Sequence, residues 1–134
     1  MEESTKKQLI NYAKKHLEYS YVPFSMCPQG ACVLTKSGLL YGACSVENVN
    51  YSSCIDAGKL AILKAVSEGD TEIIALCIHH NSASELPYPS GECLQTLREF
   101  AKKDEIIVSN SNHCAEYSLF DLLPYTFENS QGEI

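Results

Sequence analysis

The sequence predicts a three-layer α/β/α domain built on a mixed five-stranded sheet. Helical and strand-like segments follow one another in the order α-β-β-α-β-α-β, with a weak final element. One strand-like run, residues 72–79, is continuously apolar, as strands buried on both faces of a sheet are. The length of 134 residues and the hydrophobic content of 45% suit one compact domain spanning residues 1–134.

The first three elements follow from periodicity and turn residues. Apolar side chains at helical spacing predict a helix over residues 6–19, capped by Ser4 or Thr5. Two β-compatible runs, residues 30–35 and 39–46, flank a short Lys-Ser-Gly turn. This pattern predicts a β-hairpin.

The second part of the chain supplies the remaining layers. Residues 56–68 have helical periodicity and are followed by Gly69, a typical helix stop. The apolar central strand comes next, then a polar connection into a helix over residues 91–102 and a strand over residues 105–109. The segment 117–127 is predicted to hold a fifth short strand or a turn.

Charge and hydropathy exclude several partners. The net charge of −7 and the pI near 5.0 oppose binding to DNA or RNA, which requires a basic surface, whereas a free nucleoside is easier to accommodate. No stretch approaches 18 apolar residues, and the polar beginning of the chain lacks the apolar core of a secretory signal. We therefore expect a cytoplasmic protein without a membrane partner.

The cysteines and histidines predict no self-contained metal site. The seven cysteines form an odd set without any C-x-x-C pair, which favours reduced thiols and argues against a zinc ribbon. Cys32 and Cys77 lie in apolar runs and are expected to be small core residues. His79 and His80 are adjacent on a predicted strand, so they point to opposite faces and cannot chelate the same ion.

Six motifs occur in order along nearly the whole chain: SYVPFS (20–25), GACVL (30–34), VEN-x-x-Y (46–51), AILKAVSEG (61–69), P-x-G-x-C-x-Q-x-L-x-E-F (89–100) and LLPYTF (122–127). In these motifs and their spacing, the chain resembles the small, homotetrameric type of cytidine deaminase. The resemblance implies a cytidine-deaminase-like fold and hydrolysis of cytidine to uridine at a zinc site. It also implies a homo-oligomer, a tetramer or a dimer, in which the LLPYTF tail packs near a shared pocket.

The resemblance also identifies the positions at which this sequence differs from the family. Such an enzyme holds zinc at two helix starts and moves protons with a glutamate. Here the three metal-ligand positions hold Asp56, Ser90 and Cys93, and the glutamate position holds Gly58. Because an aspartate, a serine and one cysteine are a poor zinc set and glycine carries no proton, we expect no catalytic residue and no cofactor. Loss of a general acid–base alone typically costs about 10²–10⁴-fold in rate.

Two further interpretations of these residues are open. Asp56 and Ser90 each precede a predicted helix and suit the role of N-cap, which would keep the helix ends satisfied without a metal. Alternatively, Cys54 on the entering loop and Glu92 beside Cys93 supply a thiolate and a carboxylate to a non-standard zinc site. The structural alternative for Cys54 is a buried loop thiol.

The ligand pocket differs less from the family than the metal site does. By resemblance, Glu47 occupies the position whose carboxylate holds the ribose hydroxyls, a task that suits an acceptor-only group. Ser45 stands where the family has an asparagine, Cys27 stands where an aromatic ring lines the base pocket, and Phe24 keeps an aromatic side chain in the entrance loop. Structural roles as a hydrogen-bond acceptor for Glu47 and in core packing for Phe24 are equally open.

The sequence therefore supports two hypotheses. The first is a cytidine-deaminase-like protein without deaminase activity that retains nucleoside binding. The second is an active hydrolytic deaminase that uses a non-standard metal site around Asp56, Cys54, Ser90 and Cys93, with zinc as its cofactor.

Overall fold

The structure, a computed structural model, describes residues 1–101 and 105–127. Its elements, in chain order, are α1 (Glu3–Leu17), β1 (Gln29–Thr35), β2 (Leu40–Cys44), a 3-10 turn (Tyr51–Ser53), α2 (Ala57–Ser67), β3 (Ile73–His80), α3 (Gly91–Phe100), β4 (Glu105–Ser109), β5 (Cys114–Ser118) and α4 (Leu119–Leu122). No helix in this part of the chain has the length and apolar character needed to span a bilayer.

The five strands form one mixed sheet in the order β2-β1-β3-β4-β5. The β3–β4 pair is parallel, and the other three pairs are antiparallel. β3 is the middle strand, and six of its eight residues are buried, which confirms the prediction from its continuous apolar run. α2 and α3 pack on the same face of the sheet, and their starts meet there.

Helices cover both faces of the sheet and complete the three predicted layers. On one face, α1 packs Leu9 and Ala13 against Cys32, Cys77 and Ile107, so the two cysteines are core residues as predicted. On the other face, α2 and α3 pack on the opposite side chains of β1, β3 and β4. The sheet therefore carries two separate apolar clusters, one under each helical layer.

The turn glycines behave as the sequence predicts. Gly38 closes the β1–β2 hairpin at φ +90°, and Gly69 ends α2 at φ +84°, both in the left-handed region that glycine tolerates best. Asp70 then joins these two turns, because its Oδ2 accepts hydrogen bonds from the hydroxyls of Thr35, Ser37 and Tyr41. The donors, with Ser37 and Thr35 first, hold the pKa of the Asp70 carboxyl below its ordinary value.

The predicted bounds of α1 and of the chain end need correction. α1 begins at Glu3 with Glu2 at the N-cap position, so Ser4 and Thr5 lie inside its first turn and do not cap it. The acidic Glu3 in that turn suits the positive end of the helix dipole. The last strand begins at Cys114, before the predicted segment, because the chain already pairs antiparallel with β4 there. Every second residue of this strand is half-buried. α3 ends at Phe100, and its predicted end at residue 102 lies outside the described residues.

Candidate functional site

Both helix starts at the candidate site are capped by side chains, as the sequence predicts. Asp56 is the N-cap of α2, and its Oδ1 accepts a hydrogen bond from the Lys59 backbone N–H at 2.8 Å. Ser90 is the N-cap of α3, and its Oγ accepts from the Cys93 backbone N–H at 3.0 Å. Each cap satisfies one of the N–H groups that have no partner within the helix.

Two polar contacts join these helix starts. The Ser90 hydroxyl donates to Asp56 Oδ2 at 2.9 Å, so one serine both caps α3 and binds the cap of α2. Beside it, the Lys59 ammonium forms an ion pair with the Glu92 carboxylate. Lys59 and Glu92 lie 33 residues apart, and no sequence pattern indicated this pair.

Cys93 lies beneath Gly58 and fills the space that a side chain would need there. A Cβ atom built on Gly58 would lie 2.6 Å from Cys93 Sγ and 3.2 Å from Ile78 Cδ1. Cys93 is fully buried, and burial, together with the negative charges of Asp56 and Glu92, raises the pKa of its thiol well above the ordinary value. The structure thus brings Asp56, Gly58, Ser90 and Cys93 together at one point.

This group does not fit zinc well. Among the described residues, no three histidine, cysteine, aspartate or glutamate side chains are arranged so that they could hold a metal ion. Asp56 has a hydrogen bond on each carboxylate oxygen, the Ser90 hydroxyl is a poor ligand, and the Cys93 thiol is buried. The Asp56 and Ser90 side chains bond to each other and to the backbone N–H groups of Lys59 and Cys93, without an ion.

The two residues considered as replacement ligands have other partners. Cys54 is exposed, which corrects the expectation of a buried loop thiol: it follows the 3-10 turn, where its sulfur accepts from the Asn48 backbone N–H at 3.2 Å. Glu92 lies at the surface in its ion pair with Lys59. Neither side chain has a hydrogen bond to Asp56, Ser90 or Cys93 among the contacts of the described residues.

Glu47 organises the entrance loop. Its Oε1 accepts the backbone N–H groups of Phe24 and Ser25, each at 3.0 Å. Hydrogen bonds from Ser25, from its side chain first, and from the Phe24 backbone hold the pKa of the Glu47 carboxyl below its ordinary value. The Phe24 ring itself is 52% exposed, so it is not a core residue of this chain. Glu47 and Phe24 therefore lie side by side at the surface.

Ser45 lies between the entrance loop and the helix starts. Val46 and Ile55 form an antiparallel bridge with backbone hydrogen bonds of 3.0 and 2.9 Å. Ser45 comes immediately before Val46 in the chain, and Glu47 comes immediately after it. On the other segment, Asp56 comes immediately after Ile55. Ser45 is buried, whereas Cys27, the other altered pocket position, is exposed.

The two adjacent histidines make separate contacts. His79 is buried, with Nδ1 2.5 Å from Ser109 Oγ, and burial and the nearby Lys14 charge lower its pKa to about 4. His80 bonds to the Glu85 carbonyl oxygen. Within residues 1–101 and 105–127, the two histidines have no hydrogen-bond partner in common.

One contact at the site had no clear sequence signal. The Gln95 side chain donates to the Phe127 carbonyl oxygen at 3.0 Å and accepts from the Phe127 backbone N–H at 3.1 Å. These two hydrogen bonds hold Phe127 beside α3, while Phe127 itself is 88% exposed. Both residues belong to the family-like motifs, but their separation of 32 residues hides the contact.

The chain is similar in sequence to known cytidine deaminases. Residues 1–78 match the family model described as the cytidine and deoxycytidylate deaminase zinc-binding region. A cytidine deaminase of Halalkalibacterium halodurans is 30% identical over 124 residues, which cover 91% of this chain and 93% of that protein. A cytidine deaminase of Sporosarcina psychrophila is 37% identical over 94 residues, 70% of this chain and 68% of that protein.

Solved structures agree with these relatives. The crystal structure of cytidine deaminase from Burkholderia pseudomallei matches with a TM-score of 0.85 and 29% identity, covering 95% of this chain and all of that one. That of cytidine deaminase from Mycobacterium tuberculosis matches with a TM-score of 0.79 and 27% identity, covering 92% and 98% of the two chains. The fold is therefore that of a small cytidine deaminase. The chain belongs to the cytidine and deoxycytidylate deaminase family.

Proposed function

We propose that this protein is a non-catalytic member of the family that binds a pyrimidine nucleoside. The observation that carries the proposal is the pairing of Ser90 with Asp56 above a buried Cys93, at the positions where a deaminase would hold zinc. Hydrolytic deamination needs a metal-activated water and a group that moves protons. Gly58 supplies no such group, and the Asp56–Ser90 pair supplies no open metal site.

Binding requires less than catalysis and is compatible with the rest of the pocket. A carboxylate offers about four acceptor positions, so the bonds from the entrance loop to Glu47 leave capacity for a ligand hydroxyl. The Phe24 ring, held next to it by the backbone, offers an exposed aromatic face. In this proposal, Glu47 accepts from the ribose, Phe24 contacts the ligand, and Ser45 lines the pocket.

The second candidate is an active deaminase with a non-standard zinc site. It is favoured by the relatives, which are named cytidine deaminases. To form such a site, Cys54 would have to leave Asn48 and Ser90 would have to release Asp56. The first candidate needs neither rearrangement, so we prefer it.

Metal analysis and a turnover assay separate the two candidates. The protein is purified with added zinc, dialysed, and analysed for bound metal, and cytidine is then incubated with it while its absorbance is followed. We expect substoichiometric zinc, no loss of absorbance, and a cytidine-binding isotherm in calorimetry. One zinc per chain together with conversion of cytidine would refute the proposal and support the second candidate.

Two variants test the ligand site itself. Glu47→Ala removes the ribose acceptor, and we expect it to weaken nucleoside binding by at least about tenfold. Glu72→Gln is the control, because Glu72 lies at the surface in an ion pair with Lys36, remote from the entrance loop. If both variants bind nucleoside with equal affinity, Glu47 is not part of the binding site.

We also infer that the protein is a homo-oligomer. Large apolar side chains are exposed on the two loops that Glu47 and the Val46–Ile55 bridge hold together, and on the tail that Gln95 fixes: Tyr21, Phe24, Met26, Val49, Tyr51, Tyr125 and Phe127. Exposed apolar groups mark an interaction surface where they are contiguous, and we infer that these groups form one patch. A dimer or tetramer would cover them.

Sedimentation equilibrium tests this inference. We expect a dimer or tetramer at micromolar concentration, and a shift toward monomer in Tyr51→Asp. Leu39→Asp is the matched control, since Leu39 is also exposed but lies in the hairpin turn between β1 and β2. A monomeric protein, or equal dissociation of both variants, would contradict a shared interface at the entrance loops.

A further inference from the structure

One edge of the sheet is formed by β2, which has β1 on one side and, among the described residues, no strand on the other. Leu39 and Ser45, at its two ends, bond toward β1 through the Leu39 C=O and the Ser45 N–H, each at 3.1 Å. In an antiparallel pair, alternate residues direct their backbone groups to opposite sides. Leu40, Gly42 and Cys44 therefore direct their N–H and C=O groups away from β1, and they form the open edge of the sheet.

The sequence of β2 itself does not protect this edge. The strand reads LYGAC, without a charged residue or a proline, the two kinds of residue that commonly prevent edge pairing. Gly42 is its middle residue. An antiparallel pair of two β2 strands, related by a two-fold axis at Gly42, would place Leu40 of each copy opposite Cys44 of the other. The open edge is thus complementary to a second copy of itself.

Both helical layers reach the middle of this edge. From α2, the Lys64 ammonium donates a hydrogen bond to the Gly42 carbonyl oxygen, which is one of the outward groups. From α1, the His16 ring lies so close that a Cβ built on Gly42 would be 2.3 Å from its Cε1 and Nδ1 atoms. Because the central carbonyl already has a charged donor, a second strand can pair here only if Lys64 moves away.

We propose that Lys64 protects the open edge and keeps β2 from pairing with β2 of a second copy of this chain. A charged side chain at an edge strand is a common means of preventing such pairing, and here a neighbouring helix supplies it. The interface inferred at the entrance loops uses other residues, so assembly there leaves this edge closed. The proposal does not depend on nucleoside binding.

Sedimentation of the full chain over a concentration series tests the proposal. We expect Lys64→Met to form a species of about twice the wild-type mass, because the edges of two copies can then pair. Lys36→Met is the matched control: it removes the same charge from a residue that pairs with Glu72, and it should keep the wild-type mass. Since the chain carries a net charge of −7, loss of a lysine by itself increases repulsion between copies and predicts the opposite result.

Amide hydrogen exchange shows whether the new contact lies at the open edge. The N–H groups of Leu40, Gly42 and Cys44 should exchange quickly in the wild-type protein and at least about tenfold more slowly in Lys64→Met. A folded Lys64→Met of wild-type mass, or a larger species in which these amides still exchange quickly, would overturn the proposal. Slow exchange of the same amides in the wild-type protein would also overturn it, and that measurement needs no variant.

Discussion

Gly58→Ala is the most direct test of the packing at the candidate site. The added methyl group would lie 2.6 Å from Cys93 Sγ and 3.2 Å from Ile78 Cδ1, whereas ordinary contact begins near 3.4 Å. The sulfur must therefore move by nearly 1 Å inside a fully buried region. Overpacking of this kind costs about 1–3 kcal/mol, and the better helix propensity of alanine returns about 0.5–1 kcal/mol.

We therefore expect Gly58→Ala to lower the free energy of unfolding by about 0.5–2 kcal/mol in urea denaturation. Gly91→Ala is the matched control, because a Cβ there meets nothing within 4 Å at the start of α3. It should be neutral or slightly stabilising.

A double-mutant cycle identifies the cause of the loss. Cys93→Ala alone should destabilise by about 1–2 kcal/mol through the cavity that it leaves. In Gly58→Ala/Cys93→Ala the new methyl group occupies the vacated space, so the double variant should be more stable than the sum of the single effects predicts, by at least about 0.5 kcal/mol. Additive effects, or a Gly58→Ala variant as stable as Gly91→Ala, would refute the contact.

Three further predictions concern the scaffold. Gly30→Ala would place a Cβ 1.9 Å from the Ala13 carbonyl oxygen, so we expect loss of more than about 3 kcal/mol of stability, or no folding, in the same assay. The buried His79, with its pKa lowered to about 4, should stay neutral in the folded protein at pH values where the same histidine is protonated in the unfolded chain. The free energy of unfolding should therefore fall as the pH drops from about 6.5 toward 4, and it should fall less in His79→Gln. Asp70 has a depressed pKa, so its stabilising effect is present above the ordinary aspartate pKa of about 3.9 and is lost below it; Asp70→Asn should be less stable than wild type at pH 7, with the difference shrinking toward pH 2.

Local features of the fold were predictable because their causes lie within a few residues. Asp56 and Ser90 cap their helices through bonds to N–H groups three residues ahead, which is the reach that a sequence pattern can express. Gly38 and Gly69 mark turns for the same reason. The layered architecture followed from the alternation of helices and strands, and the resemblance supplied the site positions.

Contacts across the fold were not predictable in this way. The placement of Cys93 under Gly58 depends on how α2 and α3 pack on the sheet, and the ion pair of Lys59 with Glu92 depends on the same packing. Exposure of Cys54 depends on the 3-10 turn before it, which has no strong sequence signature. The two contacts between α2 and α3 join segments whose relative position is a property of the tertiary structure.

The capping bonds show how side chains of this chain satisfy the two helix starts at the candidate site. The first turn of a helix leaves N–H groups without partners and carries partial positive charge, so it needs an acceptor or an anion whether or not a metal is nearby. Asp56 provides the charge at α2, Ser90 provides the acceptor at α3, and the bond between them ties the two helix starts together. The substitution Asp56→Asn keeps an N-cap acceptor for the Lys59 N–H but removes the charge, so it should lower stability less than Asp56→Ala does.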